Sequence, residues 1–250
     1  MNVTQLSVIS LFDNQLQGQV PSSISQLQNL KVLILGLNNL SGTVELDNFL
    51  KLKKLLVLQL SYNRLSCLTN RANPMFPQFH ILALASCNLS EFPIFLQNQR
   101  DMNMLDISDN NIVGEVPMWV WNSSFNNLQY MNLSHNFLTS FDQYHPIIPL
   151  HMNTRDLSYN MLKGPLPKAP PSMMYYLVSK NNFTGALPLW ICNLTGVLPS
   201  CLANNSKSLS MLNLERNRFF GRVPELFFSA VQLIMIDLCH NQLEDKLPRS

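Results

Sequence analysis

Charged residues are scarce in this sequence. They make up 13% of its 250 residues, and 17 Lys and Arg are nearly balanced by 15 Asp and Glu. Such a small net charge creates no strong electric field, which argues against nucleic acid or an acidic membrane surface as the main partner. The hydrophobic fraction of 46% is nevertheless large enough to bury a substantial core.

Long hydrophobic runs are also absent. The most apolar late stretch, LFFSAVQLIMIDL, is interrupted by Gln232 and Asp237, and it is shorter than the roughly 20 apolar residues that span a bilayer. The N-terminal stretch MNVTQLSVISLFDNQLQG has neither the basic region nor the apolar run of a secretory signal. The sequence as written therefore predicts neither a signal peptide nor a transmembrane segment.

Motifs that carry enzyme chemistry are missing as well. The sequence contains no GxxxxGK[ST], no GxGxxG after a strand, no HExxH and no GxSxG. The five histidines are scattered without the spacing of metal ligands: His80, His135, His145, His151 and His240. We expect no enzyme, no cofactor and no metal site.

What the sequence does contain is a repeat. LSVISLFDNQLQGQVP from Leu6 and LSMLNLERNRFFGRVP from Leu209 follow one template, LxxLxLxxNxLxGx(I/V/L)P. Ten copies can be aligned, and they recur about every 24 residues except for one interval of 36. Their ninth positions are Asn14, Asn38, Asn63, Cys87, Asn110, Asn136, Asn160, Asn181, Asn217 and Asn241.

Each copy has a direct physical interpretation. The fourth and sixth positions, such as Leu105 and Ile107, point to one face of a short strand that becomes stable only when neighbouring copies stack in parallel. The ninth-position Asn can donate and accept hydrogen bonds, so it is suited to form a ladder where the chain turns inward. Cys87 fits that column as a small buried member, and the following Gly marks a tight bend.

The repeat resembles the plant-type leucine-rich repeat from Leu6 to the end of the chain. Finer motifs, including LASCNLSEFP at 84–93, VPMWVWN at 116–122 and ICNLT at 191–195, resemble the ectodomain of plant receptor-like proteins of the disease-resistance class. The resemblance implies an α/β-type solenoid, a curved right-handed superhelix with a short-stranded parallel sheet on its concave face and irregular or 3-10 segments on its convex side.

The same resemblance implies a function. Members of that family are glycoproteins at the extracellular face of the plasma membrane that sense microbial or peptide ligands and signal through a partner receptor kinase in defence or development. We expect a fragment of such a ligand-binding ectodomain, with a protein or peptide ligand. Two alternatives stay open: a soluble secreted inhibitor of an enzyme, and a degenerate gene fragment without activity.

One repeat departs from the regular spacing. The tails ending at Pro188 and Pro199 lie only 11 residues apart, so a piece of about 13 residues with one strand is missing. We expect a single domain over 1–250, uncapped at both ends, with one overlong repeat at 173–208. The strands near residues 176 and 212 should then pair directly, while the segment NLTGVLPSCLANNSK bulges on the convex side, where insertions are tolerated best.

Ligand contacts are expected on the concave face, just before the ladder position. That column reads Asp13, Leu37, Tyr62, Ser86, Asp109, His135, Tyr159, Lys180, Arg216 and His240. It changes from acidic and aromatic to basic along the chain. Tyr62, Tyr159 and Arg216 are the proposed anchors, because Tyr and Arg are enriched at binding hot spots. Each of these positions is equally compatible with an ordinary solvated side chain.

Cysteines and sequons bear on the compartment. Cys192 and Cys201 occupy family-like positions, so the resemblance allows a disulfide between them, although two free thiols remain the alternative. Eight N-x-[ST] sequons favour passage through the secretory pathway: Asn2, Asn39, Asn88, Asn122, Asn132, Asn182, Asn193 and Asn204. The repeat itself generates some of them, and a glycan on Asn132 would cover part of the concave face.

One inward position is unexpected. Arg155 occupies the fourth position of its repeat, where other copies mostly have Leu, Ile or Met. An unpaired buried charge there would be destabilising, unless the side chain extends to solvent. Arg155, the missing strand and the absent caps support the degenerate-fragment alternative.

Overall fold

The computed structural model describes residues 5–69, 76–121, 127–141, 151–188, 190–191, 209–223 and 233–247. Two compact units can be distinguished. Unit one comprises Met1–Val113 with Ser124–Leu128, and unit two comprises Gly114–Ser123 with Gln129–Ser250. The expectation of one domain over 1–250 remains a prediction.

Unit one is built from short parallel strands. They are β1 (Val8–Ser10), β2 (Gln17–Gly18), β3 (Val32–Ile34), β4 (Asn39–Glu45), β5 (Val57–Gln59), β6 (Arg64–Leu68), β7 (Ile81–Ala83) and β8 (Met104–Asp106). The main sheet has the order β1-β3-β5-β7-β8, and its register pairs equivalent repeat positions, as in Leu33 with Leu58. Between the strands lie 3-10 segments at Ser22–Gln26 and Ile94–Asn98 and a one-turn helix, α1, at Asp47–Leu50.

Unit two repeats this plan. Its strands are β9 (Val113–Val116, which begins at the last residue of unit one), β10 (Tyr130–Asn132), β11 (Phe137–Phe141), β12 (Thr154–Asp156), β13 (Lys163–Gly164), β14 (Tyr175–Leu177), β15 (Asn182–Ala186), β16 (Met211–Asn213), β17 (Arg218–Gly221), β18 (Met235–Asp237) and β19 (Gln242–Leu243). The main sheet has the order β10-β12-β14-β16-β18. A 3-10 segment covers Met118–Trp121. The predicted solenoid of stacked parallel strands is confirmed.

The inward positions of the repeat form the core of each unit. In unit one, Leu33, Leu82 and Leu105 are completely buried, and in unit two so are Met131 and Leu212. Burying one such side chain contributes roughly 1.5–3 kcal/mol before the entropy of ordering is subtracted. Because a three-residue strand buries its leucine only against the adjacent repeats, stability depends on stacking.

The ninth-position side chains connect successive repeats. The Nδ2 of Asn63 donates to the carbonyl of Leu35 in the preceding repeat (3.0 Å) and to that of Leu60 in its own repeat (2.9 Å), while its Oδ1 accepts from the N–H of Leu40 (3.0 Å). Equivalent bonds are made by Asn38, Asn110, Asn160, Asn181, Asn217 and Asn241. Each amide therefore satisfies backbone groups in two repeats at once.

The overlong repeat does not interrupt the main sheet of unit two. Strand β14 pairs directly with β16, in the register Tyr176 with Leu212. The ladder also continues across this junction, because Asn217 donates to the carbonyl of Val178 at 3.0 Å. The prediction that these two strands pair directly is confirmed. The segment expected to bulge, 193–207, lies outside the described residues.

A second set of sheets follows the ladder. In unit one β2, β4 and β6 pair in parallel, and in unit two β13, β15, β17 and β19 do so. The tail glycines of these segments have positive φ, as at Gly42 (94°), the left-handed conformation that glycine adopts without strain. The sequence predicted a tight bend at these glycines but not the pairing of the tails, since these hydrogen bonds exist only between stacked repeats.

Arg155 is buried in the core of unit two. Its side chain is 1% exposed, and its strand register places it between Met131 and Tyr176. Its Nε donates to the Sδ of Met152 and an Nη donates to the carbonyl of Lys168, both at 3.4 Å, and its Cζ lies 5.5 Å from the Tyr176 ring centroid. The guanidinium therefore does not extend to solvent. Burial, the largest cause, lowers the pKa of Arg155.

Tyr176 makes the stability of this region sensitive to alkaline pH. Burial is the main cause that raises its pKa to about 12, against an opposing effect of Arg155. The unfolded chain ionises this phenol near pH 10, so the stabilisation is complete below about pH 10 and disappears as pH rises through the folded-state pKa. We expect a loss of roughly 3 kcal/mol in the free energy of unfolding over this interval.

Urea titrations between about pH 9 and pH 12 measure this loss against two phenylalanine variants. Tyr176→Phe should flatten the alkaline decline. Tyr175→Phe, at the adjacent exposed tyrosine (40% exposed), should leave it unchanged. The same decline in wild type and Tyr176→Phe would contradict the assignment.

Candidate functional site

The predicted contact residues lie directly after the main strands and share one backbone conformation. We call them the strand-end column. In unit one it comprises Asp13, Leu37, Tyr62, Ser86 and Asp109, and in unit two His135, Tyr159, Lys180, Arg216 and His240. All ten have a positive φ between 52° and 57°. Non-glycine residues adopt this left-handed conformation at a free-energy cost, so the surrounding structure must impose it.

Hydrogen bonds to the next repeat impose this conformation. The N–H of Tyr62 donates to the carbonyl of Ala85 at 3.0 Å, and the N–H of Arg216 donates to that of Cys239 at 2.8 Å. The turn thus extends the parallel ladder one bond beyond the strand. The side chains of the column are therefore carried on a backbone that is held in place before any ligand binds, which lowers the entropy lost on binding.

Tyrosine and acidic side chains meet in unit one. The Oη of Tyr62 lies 3.5 Å from a carboxylate oxygen of Asp109, two repeats further on, and 46% of the tyrosine surface is exposed. Partial burial is the main cause that raises the pKa of Tyr62; Asp106 and Asp109 raise it further, while a hydrogen bond with Ser108 lowers it. This phenol stays neutral and can donate or accept a hydrogen bond.

Unit two contains a compact aromatic and basic cluster. The rings of His135 and Tyr159 stack with centroids 4.0 Å apart and an interplanar angle of 17°. Lys180 places its Nζ 3.9 Å from the Tyr159 ring centroid and also donates to the tyrosine Oη. Tyr159 is 42% exposed. One face of the cluster thus offers an aromatic ring next to an ammonium group.

The cluster is followed by an ion pair in the same unit. Arg216 places its Nε 3.1 Å from a carboxylate oxygen of Glu215, and the two side chains are 56% and 23% exposed. An exposed pair of this kind contributes little to stability, so Arg216 remains available to a ligand that offers a better carboxylate. His240 is exposed at the equivalent turn of the next repeat. Glu215 was not among the residues singled out from the sequence.

A second column of mostly apolar side chains lies on the strand face, at the first residue of each main strand. It occupies the third position of the repeat and pairs in register: Val8, Val32, Val57, Ile81 and Met104 in unit one, and Tyr130, Thr154, Tyr175, Met211 and Met235 in unit two. All ten are half-buried or exposed. Sequence reasoning missed this column, although the recurrence of an apolar residue at one repeat position was visible. The two columns lie at opposite ends of the main strands, and the outward fifth repeat position lies between them on the strand face of each unit.

Four sequons lie within the described residues. Asn88 is exposed and hydrogen-bonds the side chains of Ser66 (2.8 Å) and Asn111 (2.7 Å). Asn132 is half-buried, and its Oδ1 accepts from Ser134 of its own sequon. Asn39 and Asn182 begin tail strands and are half-buried. The other four sequon residues, Asn2, Asn122, Asn193 and Asn204, fall outside the described residues, as do Cys192 and Cys201. Their roles remain predictions.

Over the described ranges, no group of three or more His, Cys, Asp and Glu side chains is placed to hold a metal ion. Within those ranges no helix has the length and apolar character needed to cross a membrane. The strand face, with its two columns, is the candidate site.

Sequence comparison relates the chain to plant proteins. No protein-family model matches it. It is 38% identical over 242 residues to Receptor-like protein 6 of Arabidopsis thaliana, an alignment that covers 90% of this chain and 24% of that protein. The chain thus spans about a quarter of the length of this curated relative.

Structure comparison points the same way. One similar structure is the leucine-rich-repeat ectodomain of the Arabidopsis thaliana receptor kinase GASSHO1/SCHENGEN3, in complex with CASPARIAN STRIP INTEGRITY FACTOR 2. The TM-score is 0.72 and the identity 25%, over 97% of this chain and 30% of that one. The Arabidopsis receptor kinase HAESA, in complex with the peptide hormone IDA and the co-receptor SERK1, has the same fold with a TM-score of 0.69 and 24% identity, over 96% of this chain and 42% of that one. The chain is a leucine-rich-repeat segment of the plant receptor-like protein family.

Proposed function

We propose that this chain is part of the ligand-recognition region of a plant cell-surface receptor-like protein. It binds an extended peptide or protein segment along the strand face, at the extracellular side of the plasma membrane, and it signals through a partner kinase in defence or development. The proposed function is to bind this ligand, not to catalyse a reaction. The proposal concerns the whole protein, of which the chain covers only a part.

The strand-end column is the observation that carries this proposal. Its side chains project at equivalent places in successive repeats. A backbone N–H bond to the next repeat holds eight of them: Asp13, Leu37, Tyr62, Ser86, His135, Tyr159, Lys180 and Arg216. Stacked strands lie about 4.8 Å apart, so the column presents a regular series of contacts to an extended ligand. A rigid polar column at one end of the strands and an apolar column at the other combine anchoring with specificity, as in other solenoid binding surfaces.

The charges favour one ligand chemistry in unit two. Lys180 and Arg216 are the cationic side chains of the column there, and Glu215 pairs with Arg216. Asp156 and Asp237 lie on the same face, where their carboxylates accept hydrogen bonds from Ser158 and from the N–H of Cys239. A carboxylate on the ligand can displace Glu215 from Arg216 and approach Lys180, while an apolar or aromatic side chain packs on Tyr159. We therefore propose a ligand segment that carries an acidic residue next to an apolar one.

Structures with the same fold support ligand binding by this type of segment. GASSHO1/SCHENGEN3 was crystallised with CASPARIAN STRIP INTEGRITY FACTOR 2, and HAESA with the peptide hormone IDA and the co-receptor SERK1. These complexes show what those receptors bind. For the present chain they support a peptide ligand and a kinase partner in general, without naming either.

The proposal is tested by binding a pooled library of synthetic secreted plant peptides to the purified chain and measuring the dissociation constants of the enriched peptides. Tyr159→Ala and Arg216→Ala should each weaken binding about tenfold or more, the effect of removing a hot-spot side chain. Tyr62→Ala should have the same effect on peptides that bind the column of unit one.

Arg218→Ala is the matched control, because Arg218 is an exposed arginine two residues further along, on β17 and outside the column. It should leave the dissociation constant unchanged. Equal affinities for wild type and the Tyr62, Tyr159 and Arg216 triple alanine variant would refute the strand face as the binding surface. Enrichment of no peptide would favour the inhibitor or degenerate-fragment alternatives.

A further inference from the structure

Two cysteines replace the most characteristic residues of neighbouring repeats. Cys87 stands at the ninth position, where the other nine copies have Asn. Cys67 stands four residues after Asn63, the place that Gly42 holds relative to Asn38. Both cysteines are buried, at 0% and 3% exposure, and both are free thiols. Two separate departures from the repeat therefore coincide in one part of unit one.

The two cysteines are direct neighbours. The N–H of Cys67 donates to the carbonyl of Cys87 at 2.8 Å, and the thiols share a side-chain hydrogen bond. Adjacent hydrogen-bonded backbones lie about 4.8 Å apart. This spacing falls within the Cα separation of about 4.4–6.8 Å that a disulfide spans.

The ladder is weakened where Cys87 interrupts it. Asn63 bonds the carbonyl of Leu35 and the N–H of Leu40 in the preceding repeat. The equivalent groups for residue 87 belong to Leu60 and Leu65. A thiol is a weak donor and a weak acceptor, so it cannot replace both amide bonds. A different connection between these two repeats would compensate.

We propose that Cys67 and Cys87 become joined by a disulfide when the chain folds in an oxidising environment, and that this covalent link replaces the missing ladder amide between the third and fourth repeats. Oxidised glutathione is a sufficient oxidant. The proposal does not depend on the ligand or on the binding surface.

The exchange is balanced in two steps. The Cys67 thiol loses its proton, and the thiolate attacks one sulfur of oxidised glutathione, which forms a mixed disulfide and releases one glutathione thiolate. The Cys87 thiolate then attacks the Cys67 sulfur and releases the second. Both glutathione thiolates take up a proton, so two cysteine thiols are oxidised and one glutathione disulfide is reduced.

Because both thiols are buried in the folded chain, this reaction has to occur while the chain folds. In the folded, reduced chain the pKa of Cys87 is raised, first by its hydrogen bond with Cys67 and then by burial. Both thiols are also inaccessible to a soluble oxidant. The reduced native protein should therefore resist alkylation and oxidation, whereas a chain refolding in a glutathione redox buffer forms the bond before the core closes.

Peptide mapping tests the bond directly. The full chain is refolded with reduced and oxidised glutathione, acid-quenched, unfolded without reductant, alkylated with iodoacetamide and digested. In most molecules the peptides that contain Cys67 and Cys87 should be found linked, and dithiothreitol treatment should free both. Finding both alkylated, or either linked to Cys192 or Cys201, would overturn the proposal. Cys239→Ser, which removes an exposed thiol, should leave the link intact.

Thermal unfolding provides a second readout. Dithiothreitol should lower the melting temperature of the refolded wild type by roughly 5–15 °C. Cys87→Asn restores the ladder residue and keeps the other four cysteines, so its melting temperature should respond to dithiothreitol much less. If dithiothreitol shifts the melting temperature of the two proteins equally, the shift does not come from a Cys67–Cys87 disulfide and the proposal is wrong.

Discussion

Replacing Asn110 by alanine should destabilise the protein by about 3–5 kcal/mol. The side chain is 5% exposed. Its Nδ2 donates to the carbonyls of Leu84, Ile107 and Ser108 at 2.9–3.0 Å, and its Oδ1 accepts from the N–H groups of Cys87 and Leu89 at 3.0 and 2.9 Å. Alanine removes this one partner from five backbone groups in the interior, although the carbonyl of Ser108 keeps its bond from the N–H of Ser86 at 3.1 Å. Each buried unsatisfied group costs about 1–3 kcal/mol, and the contributions are not additive.

Asn14→Ala is the matched control for this experiment. Asn14 holds the same repeat position, but it is exposed and its amide donates only to the carbonyls of Leu11 and Phe12. Water can replace these bonds, so the loss should stay below about 1 kcal/mol. Urea denaturation at neutral pH gives both free energies of unfolding. If the two substitutions lower the free energy of unfolding equally, the burial of a ladder asparagine does not determine how much it stabilises the protein.

Replacing Arg155 by methionine should stabilise the protein by about 1–4 kcal/mol. The guanidinium is almost completely removed from water, and its contacts with the Tyr176 ring and the Lys168 carbonyl only partly offset the loss of hydration. Methionine retains most of the side-chain volume without the charge, and Met131 already fills the equivalent position in the adjacent strand.

Arg155→Ala separates charge from packing. It removes the same charge but leaves a cavity, which in a core costs about 2–5 kcal/mol, so this variant should be less stable than Arg155→Met. Urea denaturation of the three proteins gives the order. A lower stability for Arg155→Met than for wild type would mean that the cation and aromatic contacts outweigh desolvation. The pKa of Tyr176 should rise further in both variants, because Arg155 lowers it.

The repeat made much of the fold predictable. The alternation of inward residues and the recurrence of Asn about every 24 positions predicted the parallel strands. The short distance between the tails ending at Pro188 and Pro199 predicted the direct pairing of β14 with β16, which is confirmed. These features depend on the residues of one repeat and on the identity of its neighbours, and both can be read from the sequence.

The sequence predicted which residues lie at the strand ends, but not which of their side chains touch one another. The repeat indicated that Tyr159 and Lys180 occupy equivalent exposed places. It did not indicate that Lys180 lies over the Tyr159 ring or that His135 stacks on it. Such contacts depend on side-chain rotamers and on the distance between adjacent strands, which are properties of the packed molecule. The glycosylation sites and the Cys192–Cys201 pair remain predictions.

The sequence by itself determined the repeat length, the inward residues, the ladder positions and the resemblance to plant receptor-like proteins, because each is a local pattern that recurs along the chain. Only the tertiary structure decided that Leu37, Tyr62 and Arg216 adopt a left-handed turn, that Arg155 stays buried, and that Cys67 meets Cys87. The physical reason is shared by all three. The left-handed turn depends on a backbone hydrogen bond to the next repeat, the burial of Arg155 on side chains of adjacent repeats, and the cysteine pair on a thiol of the neighbouring repeat. All of these contacts exist only after the repeats have stacked.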